Sequence, residues 1–346
     1  MNSEERILRT LRGQPVDRVP HFEWLVDPRV VEALHPGVDL EELIEREDLD
    51  AVCVDLDYRS EAIGEGVFRD EWGIVKKRGP ELHAVPVDGP IKSRADLERY
   101  LPPDPADPVR YRSLEAALRR HRGRRAVILH LNDALSIPSR LMGFQDFLVA
   151  AVTDPALAAE VIHLTVGVNL AMAAEARRRG AEVVYTGDDY AHNHGPMVSP
   201  ELFRELILPQ VRRAVAGYHA LGLLVMKHTD GDIRSIVDDI VGAGFDALDP
   251  IDPLAGMDLA EMKARYGGRL TLKGNVDCAN LLTFGSPAEV RKASLRCLEI
   301  GAPGGRYIFS SSNSIHSTVR PENYRAMLQA WREFNGRPGP RSGARG

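Results

Sequence analysis

The chain has 346 residues, 44% hydrophobic and 27% charged, ordinary proportions for a globular protein that can bury a sizeable core. A formal net charge of −6 argues against a nucleic-acid binder or an anionic-membrane binder, since both need a positive field. Three widely spaced cysteines, Cys53, Cys278 and Cys297, form no CxxC and no disulfide framework, which fits a reducing compartment.

The first predicted element is a helix over Glu4–Leu11. It carries acidic residues from the start and no apolar h-region, so the expectation is a cytoplasmic protein without a signal peptide. No apolar run approaches the roughly 20 residues of a membrane span. Short apolar, β-branched runs then follow at Val19–Trp24, Ala51–Leu56, Ala126–Leu131, Glu182–Gly187, Leu223–His228, Asp246–Pro250, Leu270–Asn275 and Arg306–Ser311. Amphipathic stretches lie between them, clearest at Pro155–Arg179, Pro200–Leu221, Ile233–Ala243, Leu259–Tyr266 and Pro287–Ile300. Strands in strict alternation with helices imply a parallel sheet with crossover helices, and this number of strands points to closure as a (β/α)8 TIM barrel.

An insertion interrupts the alternation after the second run. Glu71–Lys77 and Leu82–Val87, separated by Arg-Gly-Pro-Glu, predict a β-hairpin on the rim, and a Pro/Asp-rich connector follows at Leu101–Pro108. No domain linker is visible, so residues 1–335 are expected to form a single α/β barrel domain. The Gly/Pro/Arg-rich tail, 336–346, is expected to be disordered.

Polar residues gather where the runs end. In chain order these are His21 and Glu23; Asp55 and Asp57; His130, Asn132 and Asp133; Asp188 and Asp189; His228 and Asp230; Asp249 and Asp252; Asn275 and Asp277; then Asn313 and His316. In a parallel barrel these ends converge on the face that carries the chemistry. Helix capping accounts for about half of such residues, with Asp232 and Ser199 the clearest caps, but not for the histidines. Lys227-His228-Thr229-Asp230-Gly231 is the sharpest signal. Residues i and i+2 of a strand point the same way, so His228 and Asp230 can address one divalent ion or one substrate atom. Glu23, Asp189 and His316 are candidates for a third ligand. Asp188-Asp189 after the fourth run can carry a general base or a substrate contact, and Gly274-Asn275 permits close approach of a ligand. Cys278 reads as a packed residue, Gly304-Gly305 as a turn, and His192 and His194 as loop polar groups.

At these residues the chain resembles the superfamily of uroporphyrinogen decarboxylase and the corrinoid-dependent methyltransferases, including methylcobalamin:coenzyme M methyltransferases. The resemblance covers nearly the whole length, through Pro15–Pro20 with its Arg-Val-Pro, Asp50–Gly66, Gly187–Phe203, His228–Asp230, Leu272–Asp277 and Gly304–Met327 with Pro321-Glu322-Asn323. It implies a (β/α)8 barrel. The decarboxylases use an arginine pair in an early loop, an aspartate after the second strand and a histidine after the last. Asp57 matches the aspartate, whereas Phe22–Val26 lacks the arginine pair and Asn313 stands in the place of the histidine. The methyltransferases hold zinc with His-x-Cys after the fifth strand and a cysteine after the last. Here His228 matches, Asp230 replaces the first cysteine and Asn313 the second.

The reading that results is a metal-assisted methyltransferase acting with a corrinoid carried on a partner protein, on a small methylated compound. This reading puts Asp57, Asp189 and His228 in catalysis, Glu23, Asp188, Asn275 and Asn313 at the substrate, and His228, Asp230 and His316 at a divalent metal, zinc by analogy; of these the resemblance itself matches Asp57 and His228. Two alternatives stay open: decarboxylation of uroporphyrinogen or a related carboxylated substrate, as in porphyrin biosynthesis, and a non-catalytic barrel that only binds. A homodimer is compatible with all three.

Overall fold

The computed structural model describes residues 1–79 and 84–336. Parallel strands alternate with helices along the chain, the element order of a TIM-barrel-like α/β fold. The chain divides into two compact units. The 337–346 part of the expected disordered tail lies outside the described residues.

The first unit comprises Met1–Cys53, His121–Val127 and the chain from Asp246 onward. Its amino-terminal helix, Ser3–Leu11, begins where Asn2 accepts a hydrogen bond from the Glu5 N–H and buries Ile7 and Leu11. Strands Ala247–Asp249, Thr271–Val276 and Tyr307–Ser311 pair in parallel, with Leu272 beside both Leu248 and Tyr307. Every residue of the last two is buried, as parallel strands covered on both faces require. The helix Pro287–Gly301 starts on a reciprocal cap between Ser286 and Glu289, with Pro287 preset for the first turn. The helix Pro321–Phe334 packs against it and buries Trp331.

The first expected strand, Val19–Trp24, does not form. Only isolated parallel bridges remain, His21 with Phe309 and Val26 with Ile315. The reason lies in Asp50. Its carboxylate accepts the His21 N–H at 2.8 Å, a donor that a neighbouring strand would otherwise take, and Pro20 has no N–H to give. The same buried carboxylate pairs with Arg6 and with Arg18 at 2.9 Å. One acidic side chain thus joins the amino-terminal helix and the Arg-Val-Pro segment.

The second unit comprises Val54–Arg120 and Ile128–Phe245. Here Leu224–His228 pairs in parallel with Val183–Gly187, and Ile128–Leu131 pairs with the other edge of that strand. The helix Pro155–Arg179 forms over its predicted length, from an Asp154 cap to Gly180. It is long and apolar enough to cross a membrane, contrary to expectation, but half of its most apolar window is buried, as in a core helix. The predicted helix Pro200–Leu221 is interrupted by a wider turn at Phe203–Ile207. Pro209 explains the widening, since its ring excludes a normal hydrogen bond to the preceding turn. Ser199 caps this helix through the Leu202 N–H, as predicted. The helix expected at Ile233–Ala243 shrinks to Val237–Gly242, and Asp232 instead accepts from the Arg234 N–H.

The rim insertion is larger than a hairpin. Ser60–Gly64, Val67–Asp70, Val75–Lys77 and Val85–Asp88 form a four-stranded antiparallel sheet. Its first strand is exposed at every residue, so no alternation of apolar and polar residues marks it in the sequence. Residues 80–83, within the predicted turn and second hairpin strand, lie outside the described residues.

Replacing Asp50 by Ala leaves two buried arginines without this partner, and unfolding free energy measured in urea is expected to fall by about 3–5 kcal/mol. Loss of less than about 1 kcal/mol would show that Asp50 is not an anchor.

Candidate metal and substrate site

In the second unit the strands ending at Gly187 and His228 are neighbours in register, Gly187 beside His228. Two residues further on, Asp189 comes alongside Asp230. The loops that follow are held together by several bonds. The Thr229 hydroxyl accepts from the Tyr190 N–H at 2.9 Å, the Asp189 carboxylate from the Asp230 N–H at 3.0 Å, and the His192 carbonyl from the Asp232 N–H at 2.9 Å. Gly231, at φ +89°, completes the approach, because a Cβ there would overlap the backbone of Ala191 and His192.

The result is a group of three potential metal-ligating side chains. Ligand atoms of Asp189, His228 and Asp230 lie within 4.8 Å of one another. His228 Nε2 is 3.6 Å from Asp189 Oδ1 and 3.5 Å from Asp230 Oδ1. The imidazole is nearly buried, while both carboxylates are partly open, with side chains 43% and 30% exposed. Burial pushes the Asp189 carboxyl above its ordinary range, and the Asp230 charge adds to it, against the opposing pull of His228. Ligands about 2.1 Å from a tetrahedral ion lie roughly 3.4 Å apart, so these separations suit one divalent cation. One imidazole and two carboxylates form a harder donor set than thiolate-rich zinc sites, and three protein ligands leave a position for substrate.

Asp188, next in sequence, plays a different part. It is fully buried; Oδ1 accepts from Asn132 Nδ2 at 2.6 Å, and Oδ2 from the N–H groups of Asp133 and Leu135 at 3.1 and 2.7 Å. Lys227 Nζ donates to the Asp188 carbonyl and to the Asp133 carboxylate, both at 2.7 Å, and lies 3.6 Å from the centre of the Tyr190 ring. Tyr190 also donates to Asp133. Against the cost of burial, the Lys227 charge and its hydrogen bonds hold the Asp188 carboxyl at about 2, whereas burial and the Asp188 charge push Asp133 up to about 6. The expected substrate contact at Asp188 is therefore occupied by protein donors.

His130 also belongs to this unit. Its Nδ1 lies 2.6 Å from Asp55 Oδ1, and the Tyr185 ring stands between it and His228, with centroids 6.1 and 5.8 Å away. It was visible among the strand-end residues, but nothing in its spacing paired it with Asp55. Asp57 is half-buried, and its carboxylate accepts from the N–H and hydroxyl of Ser113 at 2.8 and 2.7 Å, at the start of the helix Arg112–His121. Decarboxylation of a carboxylated substrate would call on Arg59, Arg140 or Arg320; of these, Arg59 pairs with Asp107 and Arg320 with Glu322.

The remaining predicted residues lie in the first unit. Glu23 is buried and accepts from His21 Nε2 at 2.9 Å, from the Ser310 hydroxyl at 3.1 Å, and from the Ser311 N–H and hydroxyl at 2.9 and 2.6 Å. It ties the bridge at His21 to the strand Tyr307–Ser311. Asn275 donates to the Ile251 carbonyl at 2.8 Å and accepts from the Cys297 thiol at 3.5 Å. Asn313 is exposed and accepts from the Ser314 N–H at 2.6 Å, while His316 Nδ1 lies 2.9 Å from the Thr318 hydroxyl. Cys278 is buried, as predicted, its thiol donating to the Ser314 carbonyl at 2.9 Å.

The profile of uroporphyrinogen decarboxylase (URO-D) matches residues 41–334. Curated relatives named uroporphyrinogen decarboxylase include one from Xanthomonas euvesicatoria pv. vesicatoria, 23% identical, covering 95% of this chain and 98% of the relative. Another, from Thioalkalivibrio sulfidiphilus, is 25% identical and covers 94% and 96%. Among solved structures, a methyltransferase from Methanosarcina mazei superposes with a TM-score of 0.74 at 18% identity, covering 96% of this chain and 99% of that one. That likeness shows a shared fold.

Glu23 supplies a pH test. Burial raises its carboxyl, but the His21 bond and charge, the Lys273 charge and the Ser311 bond outweigh this, leaving it below the ordinary 4.5. A carboxyl lowered on folding stabilises above its unfolded value, and that stability is lost as pH falls through the folded value. Glu23→Gln should therefore flatten the fall in stability below about pH 4.5. An unchanged acid limb in urea titrations at several pH values would refute this.

Proposed function

The chain belongs to the uroporphyrinogen decarboxylase family, and on that premise we propose that it is a metal-assisted methyltransferase. It moves a methyl group between a small O-, N- or S-methyl compound and a corrinoid carried by a partner protein. The observation that carries this reading is the convergence of Asp189, His228 and Asp230 at the ends of two neighbouring strands. The methyltransferase fold of the Methanosarcina mazei protein lends it further support.

The donor set fits a divalent metal, and zinc is compatible with it. Burial raises the Asp189 carboxyl and the Asp230 charge adds to it, and a bound cation would offset both. When bound, such an ion supplies Lewis acidity to the heteroatom that holds or receives the methyl group. His228 and Asp230 would hold the ion from one strand end, and Asp189 from the next. Tyr185 packs against the His228 ring. Asp188, Lys227 and Asp133 do not touch substrate; they position the backbone from which the three ligands project. His316 lies in the other unit, and Asp189 replaces it as the third ligand in this reading.

Inductively coupled plasma mass spectrometry on the purified chain is expected to find one divalent metal per chain. His228→Ala should weaken metal binding by roughly 100-fold or more, above the 10–100-fold typical of outer-shell losses. Methyl transfer to reduced cobalamin, followed by visible absorbance, should fall with it. A metal-free preparation in which His228→Ala leaves methyl transfer intact would remove this assignment.

The relatives' names favour a second reading, decarboxylation of a carboxylated substrate, with Asp57 as the acid beside the reacting group. It predicts release of carbon dioxide, abolished by Asp57→Asn. Asn still accepts a hydrogen bond at the start of Arg112–His121, so its melting temperature should stay close to that of the parent. Undiminished release from Asp57→Asn excludes this role.

A further inference from the structure

A cavity of about 440 Å³ lies within the first unit, where the strand Tyr307–Ser311 begins. The segment after the amino-terminal helix and the turn Gly304-Gly305-Arg306 both line it, and Pro15, Val16 and Phe334 give it an apolar side. Barrel chemistry belongs to the carboxyl ends of strands, so the reaction does not account for a cavity where a strand starts.

Its charge is one-sided. Arg18 and Arg306 line it, and among the described residues its lining holds no aspartate or glutamate. The Arg18 charge is matched by Asp50 at 2.9 Å and Asp48 at 3.3 Å. Asp17, the nearest acid in sequence, is taken by Arg6 at 2.7 Å. Arg306 differs. It is half-buried, and among the described residues no carboxylate lies within ion-pair distance of it. Its guanidinium donates to the Leu11 and Arg12 carbonyls at 3.4 Å each, neutral partners that leave its charge unmatched.

Lys263 brings a further cation to the same turn. Its ammonium donates to the Gly305 carbonyl, and among the described residues it too has no carboxylate within ion-pair distance. Burial pushes this ammonium down to about 8, and the Arg306 charge adds to the fall. An anion reaching both groups would offset both effects.

The backbone holds the pair in place. Gly304, Gly305 and Arg306 are all left-handed, at φ +77°, +70° and +49°. Glycine adopts this conformation freely, whereas an arginine keeps it only where its surroundings over-determine it, as they do at ligand sites. The guanidinium also lies against Gly13, where a Cβ would overlap it.

We propose that this cavity binds a small phosphate monoester, its phosphate at Arg306 and Lys263 and its organic part against Pro15, Val16 and Phe334. The site is separate from the Asp189, His228 and Asp230 group, and the inference does not depend on the reaction performed there. A phosphate ester brings close to two negative charges and three acceptor oxygens, enough for a guanidinium fork and an ammonium together. The volume falls within the range of about 300–1,000 Å³ typical of small-molecule pockets, and it exceeds what the phosphate alone would fill.

Isothermal titration of the full chain with phenyl phosphate, inorganic phosphate and phenol tests the proposal. Phenyl phosphate should bind, inorganic phosphate more weakly, and phenol not at all at the same concentration. Asparagine tolerates the left-handed conformation, so Arg306→Asn should fold and should weaken phenyl phosphate by roughly tenfold or more, the scale of a lost charge-assisted hydrogen bond. Lys263→Gln should weaken it as well. If Arg306→Asn does not fold, Lys263→Gln decides: weakened binding supports the site and unchanged binding overturns it. His228→Ala should bind phenyl phosphate like the parent; loss in that variant alone would place the ester at the strand ends and overturn the proposal. So would no binding to the parent at tens of millimolar, or equal binding to the parent and Arg306→Asn. Inorganic phosphate binding as tightly as phenyl phosphate would overturn the role given to the apolar side.

Discussion

Lys227 carries its ammonium into a fully buried place, where it holds the Asp133 carboxylate and the Asp188 carbonyl at 2.7 Å each. A charge placed there costs several kcal/mol unless it is paired and hydrogen-bonded, and this one is both. Its partners span the ends of consecutive parallel strands, so the strand ends cannot slip without exposing an unpaired charge. The neighbouring residues benefit. Asp189 follows Asp188 and His228 follows Lys227, and strand alternation turns them to the opposite side. Stability on one side of the strands becomes geometric precision on the other.

The acids of this protein divide by environment. Asp50, Glu23 and Asp188 are buried and take their hydrogen bonds from arginines, histidine, serines, asparagine and backbone N–H groups. They replace ladder bonds or join segments remote in sequence. Asp189 and Asp230 are partly open and lie near each other, an arrangement that costs stability when nothing neutralises it. Such local cost is expected where a ligand completes the site.

Membership of the uroporphyrinogen decarboxylase family sets the α/β fold and places the chain among enzymes, and fixes neither the reaction nor the substrate. Family decarboxylases rely on early-loop arginines, and here that loop offers Glu23, bound to His21 and the serines.

The sequence by itself determined the parallel α/β alternation. Seven of the eight predicted strands form, as do the helices Pro155–Arg179 and Leu259–Tyr266, because buried parallel strands and amphipathic helices leave periodic patterns in the chain. It also determined the pairing of His228 with Asp230, since two residues on one strand side need no tertiary information. Tertiary structure alone decided the rest. Asp189 joins them through register and the close approach of Gly231, and the rim insertion becomes a four-stranded sheet whose exposed first strand leaves no pattern. Asp188 and Glu23 looked like substrate contacts because identity and position do not reveal which donors surround a carboxylate. Packing assigns those donors, and packing is a property of residues distant in the chain.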